Sequence, residues 1–358
     1  MTAHRYKLPT IAAGGASADL TMRRAPVSVL VPSRGRPERL AACLRSLAAQ
    51  CLLPKEVIVV WQADDKATRK SVERIQADLP YELKLLHSDV IGIVPAENLA
   101  LDHASEAWIA LIDDDAAAPT DWLERMSPLL DDPSVGAVGG PITNYDPRGT
   151  RFPTREVEPA ARWPWHGLPV GNLTDHPDEW RSRGRVMADH LAGSNMALRR
   201  SAFGRFEERL RPYWQSFELE VCRQVASRGY KIIFDYANIV DHFPLNTVYA
   251  GGRDSDLDVK IFNSAFNLGF VNAKHSPIPL LPIRLLIQLL VGRTATPGVL
   301  AMIVAIGRYG HPLREFRILA QVWRATISGW VVGLHQRIRT RPSATPCFQD
   351  QCPEPTNS

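Results

Sequence analysis

A chain of 358 residues, 45% hydrophobic and 22% charged, has a globular composition with room for one large domain or two smaller ones. Its net charge of +4 is too slight a basic excess to indicate a nucleic-acid partner, and none is expected. Five cysteines without a CxxC pair speak against a disulfide framework or a zinc ribbon and favour a reducing, cytoplasmic setting.

Residues 1–24 are polar and rich in Ala and Gly, lack the apolar core of a secretory signal, and read as a loose arm. Residues 27–32 then read as a buried strand closing on Pro32. The basic turn Ser33-Arg34-Gly35-Arg36-Pro37 follows it, and Leu40, Cys43, Leu44 and Leu47 recur at helical spacing. A second strand over 56–61 runs toward Asp64 and Asp65. A helix over 67–77, a third strand over 83–87 and a helix over 95–104 come next. The apolar run 109–112 ends abruptly in Asp113, Asp114 and Asp115.

This alternation predicts an open, mainly parallel α/β sheet flanked by helices. Such sheets bind ligands at the carboxyl ends of their strands, where Arg34, Arg36, Asp64, Asp65 and the Asp triplet all fall. Three adjacent carboxylates raise one another's pKa unless a cation compensates them. A hard divalent ion, Mg²⁺ or Mn²⁺, is the economical partner, and a solvated acidic turn is the plain alternative. Neither GxGxxG nor GxxxxGK[ST] follows the first strand, which excludes the usual dinucleotide and P-loop sites.

A helix over 120–130, capped by Thr120 or Asp121, and a strand over 135–138 complete the first half. Residues 143–185 are rich in Pro, Trp, Arg and Gly with weak periodicity, the mark of a long functional loop. Trp163, Trp165 and Trp180 either stack on a sugar or lipid acceptor or pin this loop to the core. Gly193-Ser194-Asn195-Met196 leads into a further segment. An acidic helix opening at Tyr213 to Glu220 ends at Gly229, and the strand 231–234 precedes His242.

In order and spacing, these pieces resemble the family-2 inverting glycosyltransferases of the GT-A fold. The resemblance covers 25–243 and rests on several segments: 27–37, Val57-Ile58-Val59-Val60, Glu97-Asn98-Leu99-Ala100-Leu101, Ala110 to Asp115 with Trp122-Leu123, Gly193 to Arg200, and the acidic helix with His242 beyond it. It implies sugar transfer from a nucleotide-diphosphate donor to a hydroxyl of a glycan or lipid-linked acceptor, with a DXD-type metal site. By position, Asp115 becomes the main metal ligand, Asp113 contacts metal or ribose, and His242 approaches the metal. The same resemblance places Pro32, Arg34, Arg36, Asn98, Asp113, Asp114 and Asn195 on nucleotide-sugar binding. Glu218 falls at the catalytic base, with Glu220 in reserve. Two departures stand out: Trp61 occupies the position of a base-reading Asp, so that base recognition passes to Trp61, Asp64 or Asp65, and Phe217 replaces one acid of the usual pair.

Residues 246–341 differ in character from the 25–245 domain. Between Leu280 and Arg341 there are nine Arg, one Glu and neither Lys nor Asp. No run reaches the ~18 uncharged apolar residues of a spanning helix. Phe316, Leu319, Ala320, Trp323, Ile327, Trp330 and Leu334 sit at helical spacing among arginines, as in a helix lying on the anionic inner face of the cell membrane. A helical appendage covering the sheet, or a homodimer contact, is the competing reading. Residues 342–358 read as a disordered tail. Two other functions share such a sheet: a sugar-nucleotide pyrophosphorylase, which needs a Gly-rich basic loop where only Gly35 stands, and a catalytically degenerate membrane-bound assembly partner.

Overall fold

The computed structural model describes residues 23–156, 161–212, 216–244, 257–293 and 296–339. Most of the expected N-terminal arm, the C-terminal tail, the helix opening at Tyr213 to Gln215 and the boundary near residue 245 lie outside the described residues. In chain order the first half comprises β1 (Arg24–Ser33), α1 (Pro37–Ala48), β2 (Leu53–Gln62), α2 (Lys66–Ile75), β3 (Glu82–Ser88), α3 (Ile93–His103) and β4 (Trp108–Leu111). Then come β5 (Ala116–Ala117), α4 (Trp122–Leu130), β6 (Val135–Gly139), β7 (Ile142–Asn144), β8 (Arg185–Met187), β9 (Met196–Arg199), α5 (Phe217–Ser227), β10 (Lys231–Asp235) and β11 (Val240–His242). The C-terminal part consists of α6 (Leu257–His275), α7 (Leu281–Leu290), the short pair β12 (Gly292–Arg293) and β13 (Thr296–Pro297), α8 (Val299–Tyr309) and α9 (Pro312–Arg339).

The main sheet runs β3-β2-β1-β4-β9-β6-β10-β8. Its centre strands are almost wholly apolar because helices cover both faces. Along β1, Val27, Val29 and Val31 face one core with Leu40, Leu44 and Leu47 of α1, while Leu30 faces the other with Ala96, Ala100 and Leu101 of α3. Pairing is parallel from β3 to β4, but β9 runs antiparallel between β4 and β6, and β8 antiparallel along β10. Both strands follow the long loop after β7 rather than a crossover helix, so nothing forces them parallel. The predicted Asp121 cap is also different in detail. Asp121 occupies the cap position, but its carboxylate pairs with Arg125 one turn on and makes no capping bond.

A second sheet, β5-β11-β7, sits at the carboxyl edge of the first. Its register sets His242 opposite Ala116 on one side and opposite Asn144 on the other. Those two pairings decide the site described below.

The long loop is pinned to the C-terminal helices. Trp163 is buried beneath the Arg284 guanidinium, which also donates to the carbonyls of Pro164 and Trp165. Trp180 is buried under Arg183, whereas Trp165 is 58% exposed. Helix α9 packs along α6 with the backbones in close approach: a Cβ at Gly329 or Gly333 would collide with the Phe266 or Phe270 carbonyl. One stripe of α9 (Leu319, Val322, Ala325, Trp330) therefore covers α6, while Leu313, Phe316, Ile327, Val331 and Ile338 stay exposed. No helix among the described residues is long and apolar enough to cross a membrane.

Candidate active site

The basic turn after β1 and the acidic turn after β4 meet because β1 and β4 are paired neighbours, Leu30 lying opposite Leu111. Arg36 reaches across and forms ion pairs with Asp114, at 2.6 Å, and with Asp115. Ser33 donates its hydroxyl to Asp114 at 2.6 Å. Asp114 is fully buried; burial pushes its carboxyl up to about 7, against the pull of Arg36 and Ser33. Gly35, at φ 70°, turns its amide to the Asp65 carboxylate, and Asp65 also accepts from the Thr68 amide to cap α2. Arg34 lies half-buried in the same turn, and Pro32 is buried in β1.

Asp113, Asp115 and His242 offer ligand atoms that all lie within 4.8 Å of one another. His242 Nε2 stands 3.2 Å from Asp115 Oδ1 and 3.6 Å from Asp113 Oδ2. It is buried and makes no hydrogen bond within the described residues. The other ring nitrogen, Nδ1, lies 2.8 Å from the side-chain oxygen of Asn144. Two carboxylates and an imidazole nitrogen converging in this way fit a divalent cation.

A cavity of about 920 Å³ opens from Arg36, Asp113 and Asp115. Phe217 and Glu218 also line it, together with Val90 to Pro95, Glu208 to Pro212, and Phe266, Asn267 and Val332 of the C-terminal helices. Glu218 stands in the first turn of α5, after Ser216 at φ 119°. Burial pushes its carboxyl up to about 7, backbone amides opposing and the Asp113 charge adding to the rise. Gly193 makes room for this turn, since a Cβ there would sit 2.8 Å from the Phe217 ring and 3.2 Å from Glu218 Oε1.

Other residues singled out by sequence are placed differently. Glu220 has no exposed surface and accepts from Lys274 at 2.6 Å, His275 at 2.9 Å and Gln224 at 2.8 Å, outside the cavity lining. Asn98 is engaged with the Phe206 backbone and Glu208; Asn195 ties Trp122 to the carbonyls of Pro141 and Asn238. Asn98 thereby holds Glu208, which lines the cavity, whereas Asn195 and its partners lie outside the lining. Trp61 packs on His87 with ring centroids 3.9 Å apart, and Asp64 is exposed; neither lines the cavity. Three features had no readable signal of their own in the sequence. Asn144 and Asp175 fall in the irregular loop region, and Glu97 was visible only as part of a motif. Glu97 is buried with Oε2 unpaired among the described residues, and burial, reinforced by Asp113 and Glu218, raises its carboxyl well above the usual range.

Burial alone would raise the Glu220 carboxyl, but His275 and Lys274 outweigh it and hold it down at about 2. A lowered pKa stabilises the fold above the unfolded value near 4.5, and that contribution is lost as pH falls through about 2. Glu220→Gln is expected to cost about 3 kcal/mol at neutral pH. In urea titrations across the acid range the two proteins should converge near pH 2; a constant difference at every pH would refute the ion network as its source.

A twisted, mainly parallel sheet with a basic and an acidic turn facing a deep cavity at its carboxyl edge is the GT-A architecture of nucleotide-sugar transferases. The Glycosyl transferase family 2 model matches residues 28–206, half of the chain, and the protein belongs to that family of glycosyltransferases. It is 33% identical over 121 residues to the succinoglycan biosynthesis protein ExoM of Rhizobium meliloti, an alignment covering 33% of this chain and 39% of that protein. The chain thus spans well under half the length of the curated relatives it matches. Among solved structures it is similar to the mannosyltransferase PcManGT from Pyrobaculum calidifontis in complex with GDP-Man and Mn²⁺, with TM-score 0.52, 20% identity and 88% of both chains covered. It is also similar to GalNAc-T7 with UDP, GalNAc and Mn²⁺, with TM-score 0.53, 16% identity, and 72% of this chain and 48% of that one covered. At such identities these likenesses establish the fold.

Proposed function

We propose that the protein transfers a sugar from a nucleotide-diphosphate sugar to a hydroxyl of a glycan or lipid-linked acceptor, with inversion, in a single metal-assisted displacement. One observation carries this reading: Asp113, Asp115 and Glu218 line the same cavity, so that a diphosphate and an acceptor hydroxyl can flank one anomeric carbon. A divalent ion such as Mn²⁺ or Mg²⁺, held by Asp113, Asp115 and His242, would supply Lewis-acid neutralisation of the departing diphosphate. Arg36, now paired with Asp114 and Asp115, adds positive charge on that side. Glu218 takes the acceptor proton as the hydroxyl attacks from the opposite face, the single displacement that inverts the centre. Glu220 anchors the helix that presents Glu218. The neighbours bound to GDP-Man and to UDP support a nucleotide donor, and ExoM supports polysaccharide biosynthesis as its setting. The test is a panel of UDP-, GDP- and dTDP-sugars with membrane lipid extracts, with and without Mn²⁺ or Mg²⁺. Metal-dependent transfer from one donor class is expected; no transfer from any would overturn the reading.

The same proposal places the protein peripherally at the inner face of the membrane. Ile283, Leu286 and Leu290 of α7, Leu300, Ile303 and Val304 of α8, and Phe316, Ile327 and Val331 of α9 are exposed apolar side chains. Arginines dominate the charge of this region, which suits anionic lipid. Sedimentation with phosphatidylglycerol vesicles is expected, with much weaker binding to phosphatidylcholine and in the Phe316→Ser/Ile327→Ser variant. Equal binding to both vesicle types would remove the electrostatic part of the proposal. A dimer through this face would appear instead as a concentration-dependent mass without lipid.

A further inference from the structure

Resting on the metal reading above, we infer that Asp175 and Asn144 are positioning residues that fix the tautomer of His242, so that its Nε2 lone pair points at Asp113 and Asp115. The chain of donors and acceptors has one consistent direction. Asp175, as a carboxylate, can only accept; it takes the Asn144 backbone amide at 2.8 Å and the Asn144 side-chain nitrogen at 2.9 Å. The Asn144 amide is thereby oriented with its oxygen toward the ring, 2.8 Å from His242 Nδ1. An amide oxygen accepts, so Nδ1 carries the hydrogen and the neutral imidazole leaves Nε2 unprotonated. That nitrogen is the buried one without a hydrogen bond among the described residues, set against two carboxylates. A lone pair facing carboxylates is repulsive until a cation lies between them.

The surroundings hold this relay rigidly. Asn144 and His242 are register partners on β7 and β11, and the Asp115 carbonyl accepts the amide of Phe243, the residue after His242. Asp175 is buried at φ 55°, a left-handed conformation sparsely used by non-glycine residues. Its own amide donates to the Ile142 carbonyl, and its carbonyl accepts from Arg155. A strained backbone kept at a buried acid is a recurrent feature of functional sites. Fixing the imidazole of a metal-binding histidine through its second nitrogen commonly changes metal affinity by about 10–100-fold.

The test uses the full chain and Mn²⁺ alone, without donor or acceptor. In the metal-free wild type, ¹⁵N NMR of the neutral His242 ring should show the hydrogen on Nδ1 and a bare Nε2. Asp175→Asn keeps size and tolerates the same backbone region, but its amide can donate to the Asn144 oxygen and reverse the relay. Expected are a shift of His242 toward the Nε2–H form and a loss of Mn²⁺ affinity of about 10–100-fold by calorimetry. The double variant Asn144→Asp/Asp175→Asn restores the original polarity, with Asp at 144 accepting from both neighbours, and should recover tautomer and affinity together. A protonated Nε2 in the wild type, unchanged Mn²⁺ affinity in Asp175→Asn, or failure of the swap to restore it would each overturn the inference. A wild type that binds no Mn²⁺ would instead overturn the metal reading on which it rests.

Discussion

Glu218→Gln is expected to lower kcat for sugar transfer by about 10²–10⁴-fold while leaving nucleoside-diphosphate affinity nearly unchanged. The amide fills the same space in the first turn of α5 but cannot take a proton. The wild-type pH profile offers an independent check. Burial has pushed the Glu218 carboxyl up to about 7, and the active form of a base is the ionised one. Transfer should therefore rise with pH through about 7 and reach a plateau above it, and the residual rate of Glu218→Gln should lack that step. Stopped-time assays from pH 5.5 to 9 would settle the point; a variant with wild-type turnover removes Glu218 from the chemistry. Glu220→Gln is the useful contrast. It lies two residues along the same helix, with its oxygens filled by Lys274, His275 and Gln224, and it should lose stability rather than the pH step.

Asp115→Ala is expected to abolish metal-dependent transfer, by about 10³-fold or more, and to abolish Mn²⁺ binding measured without donor. The protein should nonetheless stay folded. Asp115 shares its turn with two other carboxylates, so its removal relieves like-charge repulsion, and Arg36 retains Asp114 as a partner. A thermal melt within a few degrees of wild type, with Mn²⁺ binding gone, is the expected result. Retained Mn²⁺ affinity would move the metal away from the acidic turn. Collapse of the fold would show that Asp115 is needed chiefly as a structural partner of Arg36.

The chain announced its sheet clearly. Apart from Ser28 and Glu56, residues 27–32, 56–61 and 109–112 are apolar on both faces, as doubly covered strands require, and helical spacing separates them. The acidic and basic turns were legible as strand-end features for the same reason. The direction of β9 was not, because a short apolar segment has the same pattern whichever way it runs. Nor was the C-terminal division of labour: periodicity along α9 could not tell which apolar residues face α6 and which stay exposed.

Sequence by itself thus determined the class of fold, the turn that gathers Asp113 to Asp115, and the nomination of Glu218, since each follows from local pattern or from resemblance in ordered motifs. Only the tertiary structure decided how those parts complete a site. The β5-β11-β7 register set His242 beside Asp115 across more than a hundred residues of chain, and set Asn144 behind it. Packing of α6 against α5 turned Glu220 toward Lys274 and His275 and left Glu218 facing the cavity. Two acids separated by one residue are alike in sequence; what surrounds each carboxylate is set by elements distant along the chain.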